Sequence, residues 1–243
     1  MKKTMLCLSL LGLLLVSTAS IAEEKDPPRL SMFIGVDVSG SFLKSPYFDD
    51  SLNFLSQYIH DHLEGKDDLD QPRVLFIGSL GGMKRNEPKT FYPIQAFEHK
   101  SVAEIKAKLQ EIFPKTHEDA YTDFNSFFEQ VENTVKNKGL ILRPLSIVLL
   151  SDGIPDFPGK ENKHDVSRIN LKPLELLSRN ITVRLLYTNA TIAHDWQSKI
   201  KRQRVKVWTQ DAVVMTMWKE PKIQFTNWLK DNVDFPVRMR RVD

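Results

Sequence analysis

Four short runs of nearly unbroken apolar residues, "LSMFIGV", "PRVLFIGS", "LSIVLLS" and "ITVRLLY", recur along the chain, and a shorter one, "VKVWT", follows them. A strand that is apolar at every position must be covered on both faces, which is the situation of a parallel sheet sandwiched between helices. The segments between the runs supply those helices. From Tyr47 to Leu63 the apolar residues Phe48, Leu52, Leu55, Ile59 and Leu63 make a helical stripe. "SVAEIKAKLQEIF" opens on a capping-box pattern, Ser101 followed by Glu104, and stops before Pro114. "TDFNSFFEQVENTVKNKG" reads as a helix capped by Thr122 and ended at Gly139.

Further helices are predicted over "PLELLS", over about 192–203 and over "FTNWLKDNV". "TFYPIQAF" suits a short edge strand, because Pro93 is tolerated at an edge and not in the centre of a sheet. Strands separated by helices in this way predict an α/β fold, a doubly wound, mainly parallel sheet with helices on both faces. There is no internal repeat and no low-complexity linker, so residues 23–243 are expected to form one domain with its core over about 30–233.

The first residues stand apart from that domain. Lys2 and Lys3 precede the apolar run "MLCLSLLGLLLV", and "STASIA" then places Ser20 and Ala22 at positions suited to cleavage before Glu23. Residues 1–22 therefore read as a signal peptide, and the run is shorter than the roughly 20 apolar residues that a membrane span needs. Its expected consequence is an exported bacterial protein, periplasmic or secreted, with no integral membrane segment after cleavage. Cys7, the only cysteine, lies inside the signal, so the mature chain carries neither disulfides nor thiol chemistry. The net charge of +3 is small. The basic stretches "KIKRQRVK" and "RMRR" have no interleaved aromatics and read as a solvated helix face and a ragged terminus, which argues against nucleic acid as a partner.

In doubly wound sheets, ligands bind beyond the carboxyl ends of the strands. Asp37, Ser39 and Ser41 follow the first strand, Ser151, Asp152 and Gly153 follow "LSIVLL", and Thr122 sits at the mouth of a helix between them. Two carboxylates, Asp37 and Asp152, with the hydroxyls of Ser39, Ser41 and Thr122 make an all-oxygen donor set. That set suits Mg²⁺ or Mn²⁺ and does not select zinc. Neutral hydroxyl ligands would leave the ion electrophilic and attractive to an acidic group of another molecule.

Taken together, Asp37-Val38-Ser39-Gly40-Ser41, Thr122 and Asp152-Gly153 resemble the metal-ion-dependent adhesion site of von Willebrand factor A domains, and the resemblance spans about Leu30 to Val233. It implies that Ser39, Ser41 and Thr122 are metal ligands and that Asp37 and Asp152 bind mostly through water. It also implies that a glutamate or aspartate of a protein partner completes the coordination. The chain departs from the family in two places. Ala120-Tyr121 stands where members often have glycines, and the segment from Ile154 to Lys172 is long and proline-rich.

Two other functions are open on sequence. A haloacid-dehalogenase-like phosphatase would use Asp37 as nucleophile, with "SDGIPD" as a later acidic motif, but it needs a second carboxylate where Ser39 stands. A structural module with no exchanging ligand is the other. There is no nucleophile elbow, Walker loop or dinucleotide fingerprint. "GSLGG" reads as a glycine-rich turn, and His117-Glu118-Asp119, without a matching ligand pair, as a solvated loop. A non-enzymatic, metal-dependent protein-binding domain is the expected function. One prediction rests on the leader alone: mass spectrometry of protein from its native host should show a chain beginning at Glu23, and a mature species that retains Met1 would overturn it.

Overall fold

A computed structural model describes residues 27–84, 86–159 and 161–234. The signal-peptide reading and the "RMRR" tail lie outside them. The strands are β1 (Leu30–Val36), β2 (Pro72–Ser79), β3 (Gly81–Gly82), β4 (Tyr92–Pro93), β5 (Tyr121–Thr122), β6 (Leu145–Leu150), β7 (Ile181–Thr188) and β8 (Lys206–Asp211). The helices are α1 (Gly40–Leu43), α2 (Phe48–Leu63), α3 (Val102–Ile112), α4 (Phe124–Asn137), α5 (Lys172–Glu175), α6 (Ala190–Ser198), α7 (Ala212–Thr216) and α8 (Phe225–Asn232).

The main sheet has the order β4-β2-β1-β6-β7-β8. Every pairing is parallel except that of β4, the short antiparallel edge strand expected around Pro93. This is the doubly wound α/β architecture. From β1 the chain moves outward to β2, and it later returns to place β6 on the other side of β1, so strand order reverses between β1 and β6. Val36 pairs with Leu150 at the ends of these two strands, and the residues after them emerge at one height.

Alternation along β1 divides the core. Met32, Ile34 and Val36 face a cluster built with Leu52, Leu55 and Ile59 of α2 and with Ile105 and Leu109 of α3. Phe33 faces the other cluster, with Phe127, Phe128 and Val131 of α4 and Trp196 of α6. Among the described residues no helix is long and apolar enough to cross a membrane.

Three local expectations are corrected. The cap of α4 is Asp123 and not Thr122: the Asp123 carboxylate accepts from the Ser126 amide at 3.0 Å, while Thr122 belongs to β5. The helix expected over about 192–203 covers Ala190–Ser198. It ends early because the Arg202 guanidinium donates to the carbonyls of Gln197 (2.8 Å) and Ile200 (3.0 Å), groups that a longer helix would have bonded internally. The basic stretch is therefore a structured turn and not a helix face. Glu175 fastens it further, accepting from the amides of Gln203 and Arg204, both at 2.7 Å. Thirdly, Gly81-Gly82 is more than a turn, since β3 pairs antiparallel with β5.

Candidate functional site

Asp37 leaves β1 at the switch point and is fully buried, at 0% exposure. Its amide donates to the Leu150 carbonyl at 2.9 Å, so the β1–β6 pairing continues one residue further. One carboxylate oxygen, Oδ1, accepts from the Ser39 amide at 2.9 Å and from Thr122 Oγ1 at 3.5 Å. The other, Oδ2, accepts from Ser151 Oγ at 2.5 Å. The Ser39 and Ser41 hydroxyls lie 3.3 Å apart. Asp37, Ser39, Ser41 and Thr122 thus meet at one point. Alternation puts the first three on one side of their loop, and β5 carries Thr122 to them.

Thr122 reaches that position because of a glycine. In the β3–β5 pair Gly81 lies opposite Thr122, and a Cβ on Gly81 would sit 2.2 Å from the Tyr121 carbonyl oxygen. Only glycine permits so close a backbone approach. The third loop is tied in by its own backbone. The Asp156 amide donates to the Thr122 carbonyl at 2.9 Å, and Thr188 Oγ1 donates to the Asp152 carbonyl at 2.9 Å. Gly153 has φ +84, and a Cβ there would meet Leu185 at 2.6 Å. Glycine at 153 is therefore favoured both by conformation and by space.

A cleft of about 200 Å³ opens over this point, with Ser39, Ser41, Thr122, Glu118, Asp156 and His164 in its walls. Asp37 lies beneath it and is absent from the walls, as is Asp152, whose Oδ1 accepts from the Ile154 amide at 3.0 Å. Asp152 is nonetheless felt electrostatically. The Asp37 carboxyl is pushed from 3.8 up to about 6, first by burial and then by the charge of Asp152, against the opposing hydrogen bonds of Ser151 and Ser39. Sequence reasoning placed Ser151 after its strand without assigning it to the site. It read Glu118 and Asp119, with His117, as a solvated loop. Asp119 is buried, bridges in parallel to Ser39 and donates its amide to the Val38 carbonyl at 3.0 Å. Burial raises its pKa against the charge of Lys89. His117 and Glu118 are exposed, as a solvated loop would have them, while Glu118 and the buried Asp119 also line the cleft; the donor-rich composition just before Thr122 was the available signal.

The donor set fits a hard divalent cation. It is all oxygen, and the deepest carboxylate is desolvated beside a second negative charge with no cation among its influences. Among the described residues no group of three or more His, Cys, Asp or Glu side chains is placed to hold a metal ion.

Comparison by sequence finds no matching family model and no matching curated protein. By shape the chain is similar to the pilus adhesin SpaC from Lactobacillus rhamnosus GG. Two structures of that adhesin give TM-scores of 0.50 and 0.52 at 12% identity, over 85% of this chain and 30% and 31% of the adhesin. The SpRpn10 VWA domain aligns over 85% of this chain and 96% of its own, at 11% identity and a TM-score of 0.43. Proximal thread matrix protein 1 from the mussel byssus, with a zinc-occupied MIDAS motif, aligns over 82% of this chain and 48% of its own, at 11% identity and 0.43. Of these three, the adhesin alone is near enough in shape to bear on the fold, and at such identities none bears on function. The chain spans less than half the length of the thread protein and about a third of the adhesin.

The raised Asp37 carboxyl gives a prediction for the metal-free protein. Folded, the group keeps its proton up to about pH 6, and unfolded only to about 3.8. Between those values the folded state binds more protons, so the contribution of Asp37 is fully present below pH 3.8 and lost as pH rises through 6. The loss is on the order of 3 kcal/mol. In urea unfolding with EDTA, Asp37→Asn should match wild type near the lower limit and exceed it above the upper one. A stability difference that does not vary with pH would refute this.

Proposed function

We propose that this chain is a divalent-metal-dependent protein-binding module. Ser39, Ser41 and Thr122 would hold Mg²⁺ or Mn²⁺, with Asp37 and Asp152 behind them, and the ion would take a Glu or Asp carboxylate from the partner. The reading is that of a von Willebrand factor A domain with its adhesion site, non-enzymatic, in a protein exported to the periplasm or beyond. The observation that carries it is the meeting of Asp37, Ser39, Ser41 and Thr122 from separate loops above the β1–β6 switch point. When bound, the metal supplies a Lewis-acidic centre. The side chains of this protein would orient it, and their neutral hydroxyls would leave much of its charge for the partner.

Thr122→Ala separates this function from the fold, because Thr122 is not the cap of α4. Wild type should gain about 2.7 kcal/mol at a Mg²⁺ concentration about a hundredfold above the dissociation constant. Thr122→Ala and Ser39→Ala should unfold cooperatively and lose most of that gain. Asp123→Ala should show the opposite pattern, costing about 1 kcal/mol as a lost cap while keeping the Mg²⁺ response. Melting temperature against Mg²⁺ concentration decides it, and a wild-type response in both hydroxyl variants would sink the metal site.

The phosphatase alternative draws no support from the site. Ser39 occupies the position of the proton-transfer carboxylate with its hydroxyl beside Ser41, and the Asp156 carboxylate is paired with Lys163 at 2.9 Å. A panel of phosphoesters in Mg²⁺ should show no turnover that depends on Asp37. Hydrolysis abolished by Asp37→Asn would restore that reading.

A further inference from the structure

The carboxylate of Glu118 lies directly over the serine loop. A Cβ on Gly40, the residue between Ser39 and Ser41, would be 2.2 Å from Glu118 Oε1 and 3.0 Å from its Cδ. A side chain at position 40 would displace the Glu118 carboxylate from this place. Glu118 Oε2 is held at 2.6 Å by Lys44, which follows α1 at the far end of the same loop. Glu118 also lines the cleft together with Ser39, Ser41 and Thr122. It leaves this place readily: its side chain is 45% exposed and that of its partner Lys44 is 70% exposed, so the ion pair is a weak one.

We propose that Glu118 is a resident carboxylate of the site. In the partner-free protein it occupies the place of the partner's acidic group, screening the ion from solvent and from weak carboxylates, and it swings outward when a partner enters. The inference rests on the metal-site reading above and adds a built-in competitor to it. A partner must then offer more than a lone carboxylate: it must outcompete a tethered one, whose effective concentration at the site is high. That requirement makes the site selective for acidic groups presented on a surface that makes further contacts.

The test uses the full-length mature protein in Mg²⁺, with N-acetyl-glutamate methylamide as probe and the glutamine compound as control. Mg²⁺ affinity is read from melting temperature and probe binding from calorimetry. Glu118→Gln keeps the shape and removes the charge. It should weaken Mg²⁺ affinity roughly tenfold without probe and strengthen binding of the glutamate probe, not the glutamine one, by a similar factor. Asp49→Asn removes an exposed charge that lies outside the cleft and is paired with Lys115, and should leave probe affinity unchanged.

An unmoved Mg²⁺ midpoint and unmoved probe affinity in Glu118→Gln would overturn the resident carboxylate. So would an equal gain in Asp49→Asn, because the effect would then be charge alone. If wild type responds to Mg²⁺ and Thr122→Ala does not, either of these failures leaves the metal site standing. If wild type itself shows no Mg²⁺ response, both readings fall together.

Discussion

Asp37 is a carboxylate taken out of water at the end of a central strand, and much of the surrounding structure exists to hold it there. The parallel pairing of β1 with β6 brings its backbone against Leu150, and the next residues of β6 then deliver Ser151 Oγ to one carboxylate oxygen. The turn after β1 delivers the Ser39 amide to the other. These hydrogen bonds favour the charged form, yet burial and Asp152 outweigh them, and the pKa still rises. A metal-free site of this kind stores unfavourable electrostatic energy. A cation placed above it would offset that energy and would link occupancy of the site to the stability of the fold.

Rigidity at the site comes from backbone contacts more than from side chains. Gly81 lets β3 lie against β5, Gly153 lets the third loop turn beneath Trp196, and the Trp196 indole donates to the Gly153 carbonyl at 2.8 Å. Trp196 is itself wholly buried in the core against Phe124, the first residue of α4. The loops of the site are thus pinned to the packed interior within a residue or two of the candidate ligands. Such support is what positions several oxygens at once without an ion to gather them.

The parallel sheet was legible because its strands are buried on both faces, so their apolar runs stand out from the amphipathic helices between them. The site loops were legible for a related reason. Three small polar residues in alternation straight after such a run have no role in a core, and their position at a strand end gives them one in a site. Other features depended on tertiary partners that no local pattern reveals. Asp123 and Thr122 are adjacent and equally suited to capping, and only the short β3–β5 pairing withdraws Thr122 from the helix. The place of Glu118 over Gly40 depends on a contact between segments far apart in the chain. Arg202 shortened α6 from beyond its end, which helical periodicity cannot register.

The opposite end of the sheet shows that an uncompensated buried charge is not a general habit of this chain. Arg184 in β7 is as buried as Asp37, at 0% exposure. Its Nε donates to the Val233 carbonyl at 2.8 Å, its Nη1 donates to Ser146 Oγ at 2.7 Å, and Asp234 lies 3.6 Å away. Asp234 in turn faces His62 at 3.2 Å. Burial works to raise the Asp234 pKa, but His62, Arg184 and Tyr58 together bring it below the usual carboxylate value. Here a buried cation and a buried anion neutralise one another, as the cost of desolvating isolated charges demands. The same fold, with the same residue types available, places a like charge beside Asp37 and hydroxyls around it. One end of the sheet sets its buried anion against cations and the other sets two carboxylates near one another, so the second end is the candidate place for a cation from outside the chain.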